Sequence, residues 1–490
     1  MEAEFDNNGV DREPSTDEEN ESSTQTYDLV IVGGGSAAFS AAIKTSELGG
    51  RAVIINDGLP IGGTCVNVGC IPSKVMIRAA DAHHRTMNHG FDGIESESRI
   101  SDFGAITLQT QALVEGLRKS KYTDVVAEDA NISVVDERAT IIDSHTVQAG
   151  RSIFTTNNIL IATGTRTFVP PISGIGSVPY LTNETLYSLP ELPDRLIVLG
   201  GGYVALENAQ MLARLGSKVI LLQRSARVLK TESEEITAAL GAFLEEDGVE
   251  IKTGVDVEEV REVDGHIEID VLISDERSTL EGSHVLLATG RTGNTENIGL
   301  EALGIETDER GFLTVDETLR TSVPNIFGAG DVIGEHQFVY TAAYEGSLAA
   351  ENGPHSMQKE RDYTALPWVI FTDPQLAGVG LDEQQAEAAG IDYEVTKLDL
   401  KHVPRALAAR DTRGFIKLLR DTATDRLIGA RILAPEGSEL LMEVSLAIKY
   451  GITVDEIKST FHPYLTLSEG IKLAAISFGK DIEKLSCCAA

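Results

Sequence analysis

Two segments of this 490-residue chain repeat one pattern, and the repetition constrains the fold more than any other feature. The first runs from an apolar stretch at 27–32 through the turn Gly33-Gly34-Gly35-Ser36 into a small-residue helix over 37–48 and a strand over 52–55. The second runs from 196–199 through Gly200-Gly201-Gly202 into a helix over 204–215 and a strand over 218–222. Short apolar runs bounded by glycine read as buried strands, and strand, glycine turn, helix, strand is a complete βαβ unit. The glycines let backbone N–H groups at the helix N-terminus approach a pyrophosphate, so two units imply two bound nucleotides.

The fingerprints differ at the residue that follows the second strand. Gly33-x-Gly35-x-x-Ala38, with Ser36 in the turn, is followed by Asp57 at the strand end, a carboxylate able to accept from a ribose hydroxyl. Gly200-x-Gly202-x-x-Ala205 instead ends on Gln223-Arg224. With Arg224, Arg227 and Lys230 close together, that pocket suits the 2′-phosphate of NADPH, the alternative being a solvated loop that tolerates either cofactor. A glycine turn can also merely pack helix on strand. The agreement of flanking strands at both sites supports an α/β chain with two Rossmann-like nucleotide-binding domains. Ala162-Thr163-Gly164 after 158–161 recurs as Ala288-Thr289-Gly290 after 285–287, marking the expected crossovers between them.

A 42% hydrophobic content fills roughly three domains. No apolar run reaches the roughly 18 residues that span a bilayer, and no basic-then-apolar leader is present. Four cysteines are too few for a secreted disulfide framework, so a cytoplasmic location is expected. The net charge of −35 argues against nucleic-acid binding and suits a salt-adapted, halophilic source, since the Debye length is about 3 Å at 1 M salt. Residues 1–26, with nine acids against one base, read as a disordered acidic tail.

The cysteines fall in two pairs: Cys65 and Cys70 inside GGTCVNVGCIPSK, and Cys487 beside Cys488. Adjacent thiols near a solvated terminus are not explained by packing, and close pairs in a reducing compartment are redox-active or metal-binding.

That 13-residue motif, both fingerprints and Gly328-Ala329-Gly330-Asp331 resemble the pyridine nucleotide-disulfide oxidoreductases, the family of glutathione reductase and dihydrolipoamide dehydrogenase, over residues 27–490. The resemblance implies a FAD-binding domain in two parts (27–165 and 291–362), an NADPH-binding domain (166–290), and an α+β dimerisation domain (363–490) ending in the Cys-Cys tail. It implies a redox-active disulfide in which Cys65 is the interchange thiol facing substrate and Cys70 the charge-transfer thiol against the flavin. Lys74, paired with Glu207, would lie near flavin N5, and Asp331 beside Gly330 would hold the ribityl chain. Gly63, Thr64, Thr163 and Gly164 complete the implied FAD set, and Glu207 and Gly290 the NADPH set. Tyr203 resembles the aromatic gate that swings off the flavin for nicotinamide.

Disulfide-reducing members carry a His-x-x-x-x-Glu acid/base pair. In His462-Pro463-Tyr464-Leu465-Thr466-Leu467-Ser468-Glu469, alignment on Thr466 and Glu469 puts Tyr464 at the His position and displaces His462 by two residues, leaving its reorientation into the catalytic role open. A tyrosine of pKa about 10 is a poor acid/base at neutral pH, but its oxygen can assist a metal. Tyr464 with Ser486-Cys487-Cys488-Ala489-Ala490 resembles the mercury(II)-reducing branch of the family, as do Val75-Met76-Ile77-Arg78 and Pro404-Arg405-Ala406-Leu407-Ala408.

This implies Hg(II) as substrate, brought as small-thiol complexes, captured by Cys487 and Cys488 and passed to Cys65 and Cys70, with Tyr203 and Tyr464 lending oxygen contacts. It also implies a homodimer in which one subunit's tail serves its partner's site. Both tyrosines have a plainer reading as aromatic packing. No cysteine in 1–26 answers to the N-terminal metal-binding module of many members of that branch, so delivery is expected to rest on the tail and small thiols. The alternatives are an NADPH-dependent disulfide reductase of thioredoxin reductase or dihydrolipoamide dehydrogenase type, and a non-catalytic soft-metal thiol buffer. His83 and His84 read as polar surface groups; His355, His402 and Trp368 carry no legible role.

Overall fold

The structure is a computed structural model that describes residues 24–482, so the Cys487, Cys488 pair and residues 1–23 of the expected tail lie outside the described residues. Residues 24–26 correct the tail's expected end: strand Thr24–Val32 already includes them, pairing Thr24 with Ile153 and Thr26 with Thr155. Alternate β-branched threonines at the exposed end of a parallel strand extend the ladder by three paired residues, with Thr26 and Thr155 hydroxyls 2.9 Å apart.

The first sheet runs in the order Ile132–Asp136, Ala52–Asn56, Thr24–Val32, Ser152–Ile161, Thr146–Ala149, Ala139–Asp143, and Ile326–Gly328 pairs with Ser152–Ile161. Its strands over 24–32 and 52–56 are parallel and their apolar residues almost fully buried, because helices cover the sheet. The helix Ser36–Glu47 packs against Val339–Asn352, which brings the late segment of the chain back onto this unit.

A second parallel sheet follows the order Val249–Thr253, Lys218–Gln223, Arg195–Leu199, His284–Leu287, Tyr180–Leu181. Between its strands lies an antiparallel insertion, Val255–Val263, His266–Ile273 and Glu276–Gly282. The two-stranded ribbon of Thr165–Thr167 with Arg291–Gly293 joins the two sheets' units where the chain leaves and re-enters the first. The last unit is a five-stranded antiparallel sheet, Trp368–Ile370, Gln375–Gly380, Leu427–Ala434, Phe415–Asp421, Tyr393–Asp399, backed by the helices Gly437–Lys449 and Glu469–Ile476. No described helix is long and apolar enough to cross a membrane.

One core embeds both nucleotide units in their neighbours. Met76, Ile77 and Ala80 of the helix Cys70–Met87 share a cluster with Leu206, Ala209 and Leu212 of the second βαβ helix and with Ile370 and Leu433 of the last sheet. The helix that begins at Cys70 is therefore clamped by apolar burial from two other units.

Candidate active site

The two glycine turns are built alike. Gly33 has φ +116° and a Cβ there would lie 2.2 Å from the Ala162 carbonyl oxygen; Gly200 has φ +124° and a Cβ would lie 2.2 Å from the Ala288 oxygen. Only glycine satisfies both the left-handed backbone and the close approach. Each turn opens a helix whose N-cap glycine, Gly35 or Gly202, supplies no side-chain cap, and neither helix has an acid in its first turn. Their first N–H groups are free to meet a phosphate, which the helix dipole also favours.

At both turns the last residue of the second strand packs against the middle glycine. Strand Ala52–Asn56 stops one residue before Asp57, which is exposed and 3.8 Å from Arg138. Asn56 is the buried side chain against Gly34, just as Gln223, last in its strand, lies against Gly201. Pairing of Asn56 with Asp136 carries the strand one residue past the expected end at Ile55, and Asp57 follows directly after it.

Five buried side-chain polar atoms among the described residues lack a hydrogen-bond partner in the protein. They include Thr163 Oγ1 at the first crossover and Arg227 Nε and Ser233 Oγ on the loop after Gln223. An uncompensated buried polar atom is costly, so these point to groups supplied by a ligand. Arg227 donates back to the Lys230 carbonyl at 3.2 Å, while Arg224 and Lys230 are exposed on the same loop. Gly164 follows Thr163, and Gly290, exposed, closes the second crossover.

Asp331 sits after the left-handed Gly330, within 3.3 Å of Thr165 Oγ1 and 4.0 Å of Arg291. Burial pushes its carboxyl up, and Arg291 and Thr165 oppose that. Behind it the fully buried Glu345 accepts from the Gly330 amide and the Tyr363 hydroxyl, both at 2.7 Å. Burial raises the Glu345 carboxyl to about 7.

The cysteine motif is tied to the first glycine turn. Gly62 N–H donates to the Gly34 carbonyl at 2.7 Å, and Gly63 packs on Gly35. Thr64 and Cys65 lie in the short helix Gly63–Val68; Cys70 is the first residue of the helix Cys70–Met87, where the uncapped N-terminus favours a thiolate. Both thiols are free and half-buried. The hydrogen bond from Cys65 holds Cys70 below its ordinary value, with the Lys74 ammonium adding to this against the effect of burial; the same bond and burial push Cys65 up. Cys70 is thus the more acidic thiol of the pair.

Lys74, one turn along, is 2.6 Å from Glu207 on the second nucleotide unit, and its ammonium lies 4.5 Å from the Phe371 ring centroid. Tyr203 opens the helix Tyr203–Leu215 beside Gly202, its ring stacked on Phe338 and Trp368, and burial pushes its phenol up to about 12. Tyr340 stacks on Phe338 in turn, and burial pushes its phenol up, with Tyr203 and Cys70 adding to this.

At the far end of the chain, Tyr464 is 57% exposed and Phe461 96%, while Glu469 is buried and accepts from the Leu465 amide. His462 Nε2 lies 2.6 Å from Glu443 and Nδ1 faces the Thr460 carbonyl, so both ring nitrogens are engaged locally.

Several residues here were not legible in the sequence. Tyr122, on the π-helical turn Lys119–Thr123, packs edge-on against Phe39 and is hydrogen-bonded to Ser36 of the first turn, between that turn and the cysteines. His84 corrects the surface reading: it is half-buried, 3.6 Å from Asp247, at the edge of a charged cluster centred on Arg214. Its imidazole is held down by burial and by Arg214. His83 accompanies it with a 2.7 Å contact to Ser98.

Comparison with known proteins matches this arrangement. Residues 27–346 fit the family described as "Pyridine nucleotide-disulphide oxidoreductase", and residues 366–475 its dimerisation domain. The chain is 42% identical to the mercuric reductase of Streptomyces lividans, over 94% of this chain and 98% of that protein. Against the mercuric reductase of Staphylococcus aureus it is 41% identical over 94% of this chain and 84% of that one. Among solved structures, the Cu(II) complex of the HOCl-induced flavoprotein disulfide reductase RclA from Escherichia coli superposes with a TM-score of 0.83 at 30% identity, over 93% of this chain and all of that one.

Proposed function

The chain belongs to the pyridine nucleotide-disulphide oxidoreductases, and from that membership we propose that it is a mercury(II) reductase, a homodimeric flavoenzyme driven by NADPH. The observation that carries this reading is identity of about 40% to mercuric reductases across nearly the whole chain. The reaction balances as Hg(II) plus NADPH giving Hg(0), NADP+ and H+: nicotinamide loses two electrons and the metal gains them.

FAD, when bound, supplies the two-electron transfer between nicotinamide and the thiol side. The residues of the chain do the rest. The uncapped helix ends at Gly35 and Gly202 would hold the two pyrophosphates, with Asp57, Thr163 and Asp331 on the FAD side and Arg224, Arg227 and Lys230 on the NADPH side. Lys74, fixed by Glu207, keeps a positive charge next to Cys70. Cys70 and Cys65 bind Hg(II), a soft cation that prefers thiolates.

Because thiol affinity for Hg(II) is so high, the metal is handed between thiol pairs rather than released: Cys487 and Cys488 of one subunit strip it from small thiols and pass it to the partner's Cys65 and Cys70. Tyr464 and Tyr203 contribute oxygen contacts during the transfer. A reducing cytoplasm keeps the tail thiols available.

The likeness to a flavoprotein disulfide reductase favours a second reading, reduction of a disulfide substrate. Tyr464 in place of the acid/base His, and the local engagement of both His462 nitrogens, weigh against it. The transfer route is tested by NADPH oxidation with Hg(II) presented on a small and on a bulky thiol carrier. The double variant Cys487→Ala, Cys488→Ala should lose turnover, and lose more with the bulky carrier. Equal turnover by variant and wild type with both carriers would remove the tail from the route.

A further inference from the structure

The single tryptophan of the chain stands at the meeting of two domains, in a column that ends on Tyr203. Trp368 opens the edge strand Trp368–Ile370, and its ring stacks on Tyr203 with centroids 5.9 Å apart and planes 29° from parallel. Opposite it in register is Gly378, where a Cβ would lie 2.4 Å from the indole; only a bare backbone leaves the ring that place. The Arg431 guanidinium, 3% exposed, lies over the same indole at 5.4 Å from the centroid. Its Nε donates to Glu232 at 2.9 Å, and one Nη donates to the Ala430 carbonyl at 2.9 Å.

Glu232 links this column to the nucleotide loop. It lies two residues beyond Lys230, its amide donates to the Leu229 carbonyl, and the Leu229 amide donates to Gly201 in the second glycine turn. Loop, turn and Tyr203 are therefore one hydrogen-bonded unit on the NADPH side, and Arg431 with Trp368 is its counterpart on the dimerisation side. Burying a charged pair between domains carries a desolvation cost that plain apolar packing would avoid, so the pair is better accounted for by the geometry it imposes. Arginine rather than lysine fits, because the planar group stacks on an aromatic face while its fork bonds a carboxylate.

We propose that Glu232, Arg431 and Trp368 are positioning residues that set the resting place of the Tyr203 ring and make it depend on the loop that takes the 2′-phosphate. Occupation of that loop by a 2′-phosphorylated nucleotide displaces Glu232, loosens Arg431 from the indole and frees Tyr203 to leave. Selection for NADPH over NADH is then exercised at the gate as well as at the phosphate. This rests on the gate reading of Tyr203 given above, but its test involves no mercury, so failure of the mercury activity leaves it standing.

Since Trp368 is the only tryptophan, its emission reports the column alone. In FAD-loaded protein, titration with NADP+ should change that emission, and saturating NAD+ should change it less. Arg431→Met should abolish most of the NADP+ response, speed flavin reduction by NADH in stopped flow, and lower the NADPH to NADH ratio of the flavin-reduction rate constants by roughly threefold or more. Arg431→Lys should restore little, lacking the planar stack. If Arg431→Met does not fold with FAD, Glu232→Gln, which keeps the volume and removes the charge, should give the same three changes. A wild-type emission indifferent to NADP+, or a folded variant with wild-type flavin reduction and cofactor preference, would overturn the proposal.

Discussion

Lys74 Nζ lies 2.6 Å from Glu207 Oε2, and the other oxygen of that carboxylate accepts from the Phe371 amide at 2.9 Å. One carboxylate thereby joins the helix carrying Cys70, the second nucleotide unit and the last domain. The ammonium it fixes is one of the groups holding the Cys70 thiol below its ordinary value. Lys74→Met should therefore move the Cys70 titration to higher pH and lower turnover at neutral pH, with part of the loss recovered as pH rises. Ultraviolet thiolate absorbance against pH, compared with the pH profile of turnover, checks both.

Arg214, 1% exposed, is 2.8 Å from Asp81, 2.8 Å from Asp247 and 3.0 Å from Asp373, carboxylates drawn from three parts of the fold. Removing the cation leaves buried like charges unpaired. Arg214→Met should destabilise the protein by about 3–5 kcal/mol, whereas Arg85→Ala, at the half-exposed rim of the cluster, should cost about 1 kcal/mol or less. Thermal unfolding of the FAD-loaded variants side by side reads the difference.

Glu345 titrates at about 7 inside the fold because burial opposes its charge. A carboxyl raised above its unfolded value stabilises the fold fully below the unfolded pKa, and that contribution is lost as pH rises through 7. Between acid and mildly alkaline pH the loss amounts to about 3 kcal/mol. Glu345→Gln should flatten that part of the stability profile, measured by chemical unfolding at several pH values.

Thr163 Oγ1 is buried with no hydrogen-bond partner in the protein. Thr163→Val should leave the flavin-free protein as stable as wild type. It should weaken FAD binding by about 3- to 10-fold, the worth of one hydrogen bond, as read by fluorescence of released flavin.

The sequence made the repeated βαβ units and the cysteine motif readable because glycine turns and short apolar runs are local signals. The end of the first unit's second strand was not legible, since the pairing of Asn56 with Asp136, a partner 80 residues away, decides where the strand stops. Trp368, Arg431 and Glu232 gave no signal at all: their meaning lies in contacts made across domains, which no local pattern encodes. His84 looked like a surface group because Asp247, which faces it, comes from the other nucleotide unit. The identity of the substrate rested on Tyr464 and the tail, and Tyr464 stands on an exposed loop beside Phe461, a face suited to cover by a second subunit.

Mercury(II) reduction is tested most directly by measuring NADPH consumption and elemental mercury vapour together, with FAD-loaded protein and thiol-bound Hg(II). The expected result is one Hg(0) released for each NADPH oxidised, with no comparable oxidation on glutathione disulfide or oxidised thioredoxin. NADPH oxidation supported by those disulfides, with no mercury vapour from Hg(II), would contradict it.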